Sequence, residues 1–315
     1  MALIGYGAMG QRHARALLAL PERATVTGFY DVRDIDSALP LHSAEAEAIA
    51  HADVVFVATP IAAHVSTVLR ALRAGRDVFV EKPIGATADE ASAMVDAAER
   101  SGRRLFVGHS ERFNPVVRAL HREVRPESIL RTTFCRMAAA RPSAPSGESR
   151  RARARDLLLN LAVHDLDLAA YVTGSRAMVH AAFGREDAAD VLLATGRGPA
   201  HIRVGREGER ERWVLVTTDR ATYRGDLLHF RLTVRDTATT REREVPLETE
   251  EPLLAQARAV FDALDGKPSE IAEGLDGARA VRLAEKSLAL LRKPQPLPQP
   301  AEVAEYAGYA GDPAE

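Results

Sequence analysis

The sequence is poor in cysteine, lysine and aromatic residues, and it contains no long apolar run. Among 315 residues there is a single cysteine, Cys135. No intramolecular disulfide is therefore expected, and a reducing compartment is favoured. No apolar run approaches the roughly 20 residues that span a bilayer, and a folded-domain motif begins almost at Met1, which leaves no room for a signal peptide. We therefore expect a cytoplasmic protein with no membrane partner.

The charge of the chain is nearly balanced. The formal net charge is -2 and the isoelectric point is near 6.6, so no electrostatic feature of the whole chain favours nucleic acid or an anionic membrane as a partner. Hydrophobic residues make up 46% and charged residues 27%, as in ordinary globular proteins. The length predicts roughly two domains.

Lysine is rare, with four residues against thirty-eight arginines. Lys82 follows an apolar stretch, in the series Glu81-Lys82-Pro83. A buried lysine shifts its pKa readily, whereas arginine stays charged. A lysine at this place in an arginine-rich chain therefore indicates a residue that takes part in a reaction. The alternative is a strand end that merely carries a lysine.

The first part of the chain alternates β-rich runs with helical stretches. This pattern predicts an α/β Rossmann domain, a doubly wound parallel sheet, over residues 1–114. The predicted strands lie at 2–4, 25–30, 54–58, 78–80 and 105–107, and the predicted helices lie at 11–20, 62–74 and 89–101.

The pattern changes near residue 115. Residues 115–292 predict an α+β domain with a large, mainly antiparallel open sheet, which we expect to bind substrate and to form a homodimer or homotetramer sheet to sheet. Its predicted strands lie at 129–137, 177–183, 191–194, 200–204, 211–218 and 228–234, and its helices at 156–172, 253–264 and 275–291. The Pro/Ala-rich residues 293–315 are expected to form an extended or disordered tail.

A glycine-rich motif lies between the first strand and the first helix. Glycines in a G-x-G-x-x-G series allow a tight turn and a close approach of the backbone to a pyrophosphate, and an acid about 20 residues later bonds the ribose. Asp31 has that position and favours NAD over NADP, whereas Arg33 weakens the preference because it can accept a 2'-phosphate. The motif predicts cofactor contacts from Gly5, Tyr6, Gly7, Ala8, Met9 and Gly10.

An ordered series of short motifs resembles the Gfo/Idh/MocA oxidoreductase family. The series comprises Thr59-Pro60, His64, Ala74-Gly75-Arg76 and Glu81-Lys82-Pro83. The resemblance implies an NAD-dependent oxidoreductase acting on CH-OH groups. It also implies that Thr59, Pro60, His64 and Glu81 contact the cofactor, and that Lys82 lies beside both nicotinamide and substrate. The Lys82-Pro83 bond is a candidate for the cis form.

A second group of polar residues lies on the helix predicted at 156–172. Asn160, His164 and Asp167 are spaced to share one helical face. A histidine there can be a core residue whose ring nitrogens are hydrogen-bonded for structural reasons. The family resemblance implies instead that His164 is the proton acceptor. It also implies that Asn160, where the family has aspartate, is catalytic and binds substrate. Asp167 is then a candidate to support the basicity of His164. We predict no metal, because His164 and Asp167 alone offer too few ligands.

The stretch 108–115, which includes Arg112, resembles the branch of the family that oxidises nucleotide sugars. This implies oxidation at C3 of a UDP-sugar, with Lys82, Arg112, Asn160 and His164 in the substrate site. A polar loop and its neighbours could clamp a diphosphate, or could simply be solvated, through Arg136, Arg141, Arg150, Arg151, Arg153 and Arg155. Two alternatives stay open: a dehydrogenase of free polyols such as inositol or of aldoses, and a non-catalytic dinucleotide-binding sensor or scaffold.

Overall fold

The computed structural model describes residues 1–140, 148–206 and 208–291. Its first part is the predicted Rossmann domain. Parallel strands lie side by side in the order β2-β1-β3-β4-β5. They are β1 (Ala2–Ile4), β2 (Gly28–Tyr30), β3 (Val54–Val57), β4 (Asp77–Val80) and β5 (Leu105–Val107). The three central strands are almost continuously buried, as expected for a sheet covered on both faces.

Helices connect these strands and cover the sheet. They are α1 (Ala8–Leu18), α2 (Glu45–Ala50), α3 (Ile61–Arg73) and α4 (Ala88–Ser101), followed after β5 by α5 (Pro115–Glu123). The predicted α1 began at residue 11, but the helix starts three residues earlier, inside the glycine motif itself. The short helices α2 and α5 were not predicted.

The second sheet has eight strands in the order β13-β12-β11-β10-β6-β9-β8-β7, and only the β6–β9 pair is parallel. The strands are β6 (Ile129–Met137), β7 (Ala177–Gly184), β8 (Ala188–Thr195), β9 (Gly198–Gly205), β10 (Glu211–Thr218), β11 (Ala221–Asp226), β12 (Arg231–Asp236) and β13 (Glu242–Glu244). The mainly antiparallel open sheet is therefore confirmed.

The strand predicted at 228–234 is present as β12, but it begins three residues later and ends two residues later, at Arg231–Asp236. The chain turns between β11 and β12, because the carboxylate of Asp226 accepts hydrogen bonds from the amides of Leu228 and His229 at 2.9 Å. Such a side-chain to backbone bond competes with the ladder and favours a turn. An unpredicted strand, β11, precedes this turn.

The helix predicted at 156–172 is longer and is not a uniform α-helix. It consists of α6 (Arg150–Asp156), a π-helical segment at Leu157–Ala162 and α7 (Val163–Thr173), which ends at Gly174 in the left-handed conformation. The π segment changes the spacing of side chains around the helix, so the single face expected for Asn160, His164 and Asp167 does not hold. Short π segments in helices occur often at functional sites.

The C-terminal elements return to the first sheet. They are α8 (Pro252–Leu264), β14 (Ala272–Glu273) and α9 (Gly274–Leu290). The strand β14 pairs antiparallel with β5, and α9 packs so closely that a Cβ atom on Gly277 would lie 2.8 Å from Val107. The predicted division between 1–114 and 115–292 therefore needs a correction, since residues 272–273 complete the first sheet. The predicted tail, 293–315, lies outside the described residues.

No helix in the described ranges is long and apolar enough to cross a membrane.

The glycine motif generates a prediction about stability. A Cβ atom on Gly10 would overlap the carbonyl oxygen of Gly5, whereas one on Gly7 would meet only the Arg33 side chain, at 3.6 Å. We expect Gly10→Ala to lower the free energy of unfolding by about 1–3 kcal/mol, as overpacking does, and Gly7→Ala to change it little. Urea unfolding of both variants measures this, and equal stability of the two would contradict the packing argument.

Candidate active site

The glycine motif forms a tight turn at the carboxyl end of β1. Gly5 has a φ of +89°, and a Cβ atom there would lie 2.7 Å from the Ala58 backbone, so only glycine fits. The helix α1 begins at Ala8 with Met9 next, and no described side chain caps it. Its first amides and the positive end of its dipole thus suit a pyrophosphate. The residues present fit a dinucleotide.

Tyr6 contributes to this turn by its backbone. Its amide donates to the carboxylate of Asp31 at 2.8 Å, while its ring stacks on Phe29 with 3.9 Å between the ring centroids. The side chain is therefore part of the core, and the amide joins the glycine turn to the end of β2.

Asp31 and Arg33 form a two-pronged ion pair beside the turn. The Nε and Nη2 atoms of Arg33 donate to the two carboxylate oxygens at 2.9 and 3.0 Å. This guanidinium, helped by the Tyr6 amide, holds the pKa of Asp31 well below its usual range. The Asp31 side chain is only 6% exposed, whereas that of Arg33 is 62% exposed. Arg33 can therefore move away and leave an anionic acceptor for ribose hydroxyls.

The predicted cofactor residues after β3 have two different roles. The buried His64 lies between backbone carbonyls, with Nδ1 3.1 Å from that of Pro83 and Nε2 2.9 Å from that of Thr59. It thus ties the Thr59-Pro60 turn to the loop after β4 and contacts that loop rather than open space. The Thr59 hydroxyl is buried beside Gly5 and has no hydrogen-bond partner among the described residues. That orphan hydroxyl fits a polar group of a dinucleotide.

Glu81 and Lys82 point in different directions from the end of β4. The carboxylate of Glu81 lies 2.6 Å from His13 Nε2 in the core and also accepts the Lys82 amide at 3.1 Å. The Lys82 ammonium donates to the backbone carbonyl of Asn160 at 3.0 Å. Burial lowers the pKa of Lys82, and the charge of Glu81 partly opposes this. The Lys82-Pro83 bond is cis, as predicted.

Asn160 meets Lys82 through its backbone. It lies in the π segment, where its carbonyl accepts from the ammonium, while its exposed side-chain amide bonds the carboxylate of Asp156 one turn earlier. The irregular helix therefore presents a carbonyl, rather than the Asn160 amide, to the lysine.

His164 is half-buried at the start of α7. Its Nδ1 is buried and finds no hydrogen-bond partner in the described part of the chain. Burial lowers the pKa of His164 well below its usual range, and the positive charges of Lys82 and Arg136 lower it further. The imidazole is consequently neutral near pH 7 and able to accept a proton.

Asp167 and Arg112 do not take the places predicted for them. The Nε and Nη2 atoms of Arg112 donate to the two oxygens of Asp167 at 2.8 and 2.6 Å, and its guanidinium lies 4.8 Å from the centroid of the Tyr171 ring. Both charged groups are buried. Arg112 thus stabilises the packing of α7, and in the described part of the chain no hydrogen bond or ion pair joins Asp167 to His164.

A buried charge cluster that was not predicted lies beside His164. Arg136 donates to Asp165 at 2.6 and 3.0 Å and to Glu111 at 3.2 Å, and Arg212 also donates to Glu111. Strand alternation could have found the two arginines, because they are register partners in β6 and β10, on the face of Phe134 and Val214. The buried acids on helices carried no such signal.

The arginines predicted to clamp a diphosphate have other partners. Arg136 lies in β6 within the charge cluster, while Arg150 and Arg153 pair with Glu186 at 3.6 and 2.8 Å. Arg155 donates to the carbonyl of Ala86, and Arg151 is exposed. Arg141 lies outside the described residues. The predicted clamp is therefore not assembled from these side chains.

One group of described side chains could hold a metal ion. Its members are His42, Glu47 and His51, whose ligand atoms lie within 4.8 Å of one another. The carboxylate of Glu47 already accepts the amide and hydroxyl of Ser43. None of these residues is among those that converge on Lys82.

Comparison with known proteins agrees with this geometry. Residues 1–109 match the oxidoreductase family with an NAD-binding Rossmann fold, Gfo/Idh/MocA. The chain is 25% identical to the UDP-N-acetylglucosamine 3-dehydrogenase of Acidithiobacillus ferrooxidans, over 90% of this chain and 94% of that protein. A crystal structure of that dehydrogenase has a TM-score of 0.82, with 22% identity and coverage of 92% and 96%.

Inositol 2-dehydrogenases are also similar, over a shorter span. That of Cereibacter sphaeroides is 34% identical over 62% of this chain and 63% of its own length, and that of Rhizobium meliloti is 28% identical over 55% and 54%. The matched region thus spans a little more than half of the length of these relatives.

The environment of His164 predicts a pH dependence. A pKa below the ordinary 6.5 means that His164 stays neutral at pH 7 and gains its proton only in more acidic solution. Histidine NMR across a pH titration measures this, with His164→Gln identifying the resonance. Lys82→Met should raise the pKa of His164, because a neighbouring positive charge is removed. A ring that is charged at pH 7 would refute the prediction.

Proposed function

We propose that this chain oxidises a secondary hydroxyl of a sugar with NAD, and specifically the 3-hydroxyl of a UDP-sugar. The match of residues 1–109 to the Gfo/Idh/MocA oxidoreductase family supports this proposal. The observation that carries this proposal is the meeting of a neutral imidazole and an ammonium at the carboxyl ends of the parallel strands. Ligands of open α/β sheets bind at that edge.

The cofactor would be held by the turn at Gly5 to Gly10, by Asp31 at the ribose and by Thr59. When bound, nicotinamide supplies the hydride acceptor. The carboxylate of Asp31 favours NAD, since it would repel a 2'-phosphate once Arg33 had turned away.

We assign His164 and Lys82 two different roles at the substrate oxygen. His164 accepts the hydroxyl proton, while Lys82 exchanges its bond to the Asn160 carbonyl for one to the reacting oxygen and stabilises the negative charge that develops there. The neutral state of His164 allows the first role near pH 7. The carbonyl of Asn160 holds the ammonium in place until substrate arrives.

The choice of a UDP-sugar rests on the relative that matches along nearly the whole chain. Two arginines at the β9–β10 end are candidates to meet its phosphates: Arg206, which pairs with Asp156 at 3.0 Å, and Arg212, which is partly exposed. Inositol is the second candidate substrate, supported by the higher identity of the shorter matches. An inositol has no phosphate for these arginines to bind.

The outer face of the second sheet suits a homodimer or homotetramer. Large apolar side chains there are partly exposed, including Met178 at 69% and Phe183 at 42%. We propose that a second copy of the chain covers this face, because large exposed apolar side chains on one face of an open sheet favour an interface.

The substrate is tested by NADH formation at 340 nm with NAD and a panel of UDP-N-acetylglucosamine, UDP-glucose, myo-inositol and glucose. We expect turnover with the UDP-sugars. Loss of the proton acceptor in His164→Ala should lower kcat by roughly 10²- to 10⁴-fold. His121→Ala, which alters an exposed histidine, should keep full activity and serves as the control.

Turnover of myo-inositol alone would favour the second candidate. No turnover of any sugar by folded protein would instead support a sensor or scaffold that only binds the dinucleotide.

Cofactor choice gives a separate prediction. In Asp31→Ala the charged acceptor of the ribose is lost and Arg33 is released from its ion pair, so NAD should bind about ten- to a hundred-fold more weakly, the worth of a hydrogen bond to a charged group. NADP should bind as well as before or better. Titration of protein fluorescence with both cofactors measures the two affinities. An unchanged NAD affinity would show that Asp31 does not contact the ribose.

A further inference from the structure

His109 is a buried histidine to which the proposed reaction assigns no part. It follows β5 and Gly108, is only 1% exposed, and neither of its ring nitrogens finds a hydrogen-bond partner in the described part of the chain. Buried polar atoms almost always have partners, so two unpaired nitrogens on one ring require an explanation.

The ring lies between His164 and Asp167. Its edge faces the His164 ring, with 6.1 Å between centroids and an interplanar angle of 84°. On the other side, its Nδ1 is 3.8 Å from a carboxylate oxygen of Asp167. The nearby Nδ1 of His164 is also buried and unpaired among the described residues. One bridging water can satisfy two of these nitrogens, Nδ1 of His164 and Nε2 of His109, while Nδ1 of His109 lies on the Asp167 side.

The charges behind His109 are negative on balance. Arg112 pairs with Asp167 at 2.6 Å and lies 3.3 Å from Asp276, so this trio carries two carboxylates for one guanidinium. Burial lowers the pKa of His109, and the charge of Lys82 adds to this while that of Asp167 opposes it. The neutral ring of His109 is therefore able to accept a hydrogen bond on one nitrogen and to donate one towards Asp167 on the other.

We propose that Asp167, His109 and a bridging water form a relay behind His164, in which His109 is the positioning residue. As His164 takes the substrate proton on Nε2, its Nδ1–H donates a hydrogen bond to the water, and the water donates one to Nε2 of His109. The Nδ1–H of His109 in turn closes on Asp167 from its distance of 3.8 Å. These hydrogen bonds stabilise the imidazolium at His164, and both of its ring protons stay on their nitrogens.

Within the described residues no hydrogen bond or ion pair joins His164 to a carboxylate, and this relay accounts for that. The Asn160 amide bonds Asp156 instead, and Asp167 is separated from His164 by a whole ring. His109 fills that gap, because an imidazole can accept on one nitrogen and donate on the other at once.

The test compares His109→Leu with His109→Gln. The two side chains are similar in size, but only glutamine can accept the bridge to His164. NMR of the protein without cofactor or substrate should show a lower pKa of His164 in His109→Leu, because its charged form loses an acceptor, and a pKa near that of the unmodified protein in His109→Gln. His121→Leu is the matched control, because it alters an exposed histidine of α5 that stacks on Tyr171 of α7, the helix that carries His164.

Kinetics extend the test and rest on the proposed function. His109→Leu should lower kcat by about ten- to a hundred-fold, as expected for a lost hydrogen bond to a charged group, while KM for NAD stays unchanged. The acid limb of the kcat/KM profile should move to lower pH. His109→Gln should recover most of the activity.

Equal behaviour of the leucine and glutamine variants, or an unchanged titration of His164 in folded His109→Leu, would overturn the relay. If His109→Leu does not fold, Asp167→Asn takes its place and should likewise lower the pKa of His164. An unmodified protein that turns over no sugar would contradict the proposed function alone, since the NMR comparison needs neither substrate nor cofactor.

Discussion

The candidate active site depends on buried positive charges that surround the uncharged imidazole of His164. Lys82, Arg136 and Arg212 all act on His164, and burial adds to their effect by lowering its pKa. A cation that is removed from water needs a hydrogen-bond acceptor or a negative charge as its partner, and each of these cations has one. The Asn160 carbonyl accepts from Lys82. Arg136 pairs with Asp165 and Glu111, and Arg212 pairs with Glu111 as well. These surroundings thus lower the pKa of His164 and keep its imidazole uncharged at rest.

That arrangement requires the two sheets to be fixed against each other. Lys82 comes from the first sheet, whereas His164 lies on a helix that covers the second. The return of the chain through β14 and α9 joins the two parts, since α9 packs on α4 of the first domain and on α7 of the second. A shift of this joint would separate the ammonium from the imidazole, so the C-terminal elements hold Lys82 and His164 in their relative positions.

The sequence allowed the Rossmann half and its glycine turn to be predicted, because strand burial and the need for glycine are local properties. The strands at 2–4 and 105–107 were predicted with their observed bounds. Features that depend on tertiary contacts were not foreseen. The π segment shifts Asn160 away from the expected face, and Arg112 is drawn into the core by Asp167. Helical spacing alone cannot reveal an extra residue in a turn or a buried partner from another element.

The scarcity of lysine acquires a physical reason at this site. Arg136 and Arg212 share carboxylates that a planar guanidinium fork can bridge, as the contacts of Arg136 with both Asp165 and Glu111 illustrate. On the proposed function the requirement at position 82 differs, because one compact charge would leave a backbone carbonyl and move to a substrate oxygen. An ammonium on a flexible stem could make that exchange by rotation of its stem, whereas a guanidinium held by several bonds would have to break them together. That proposed exchange gives a physical reason for a lysine at this strand end in a chain rich in arginine.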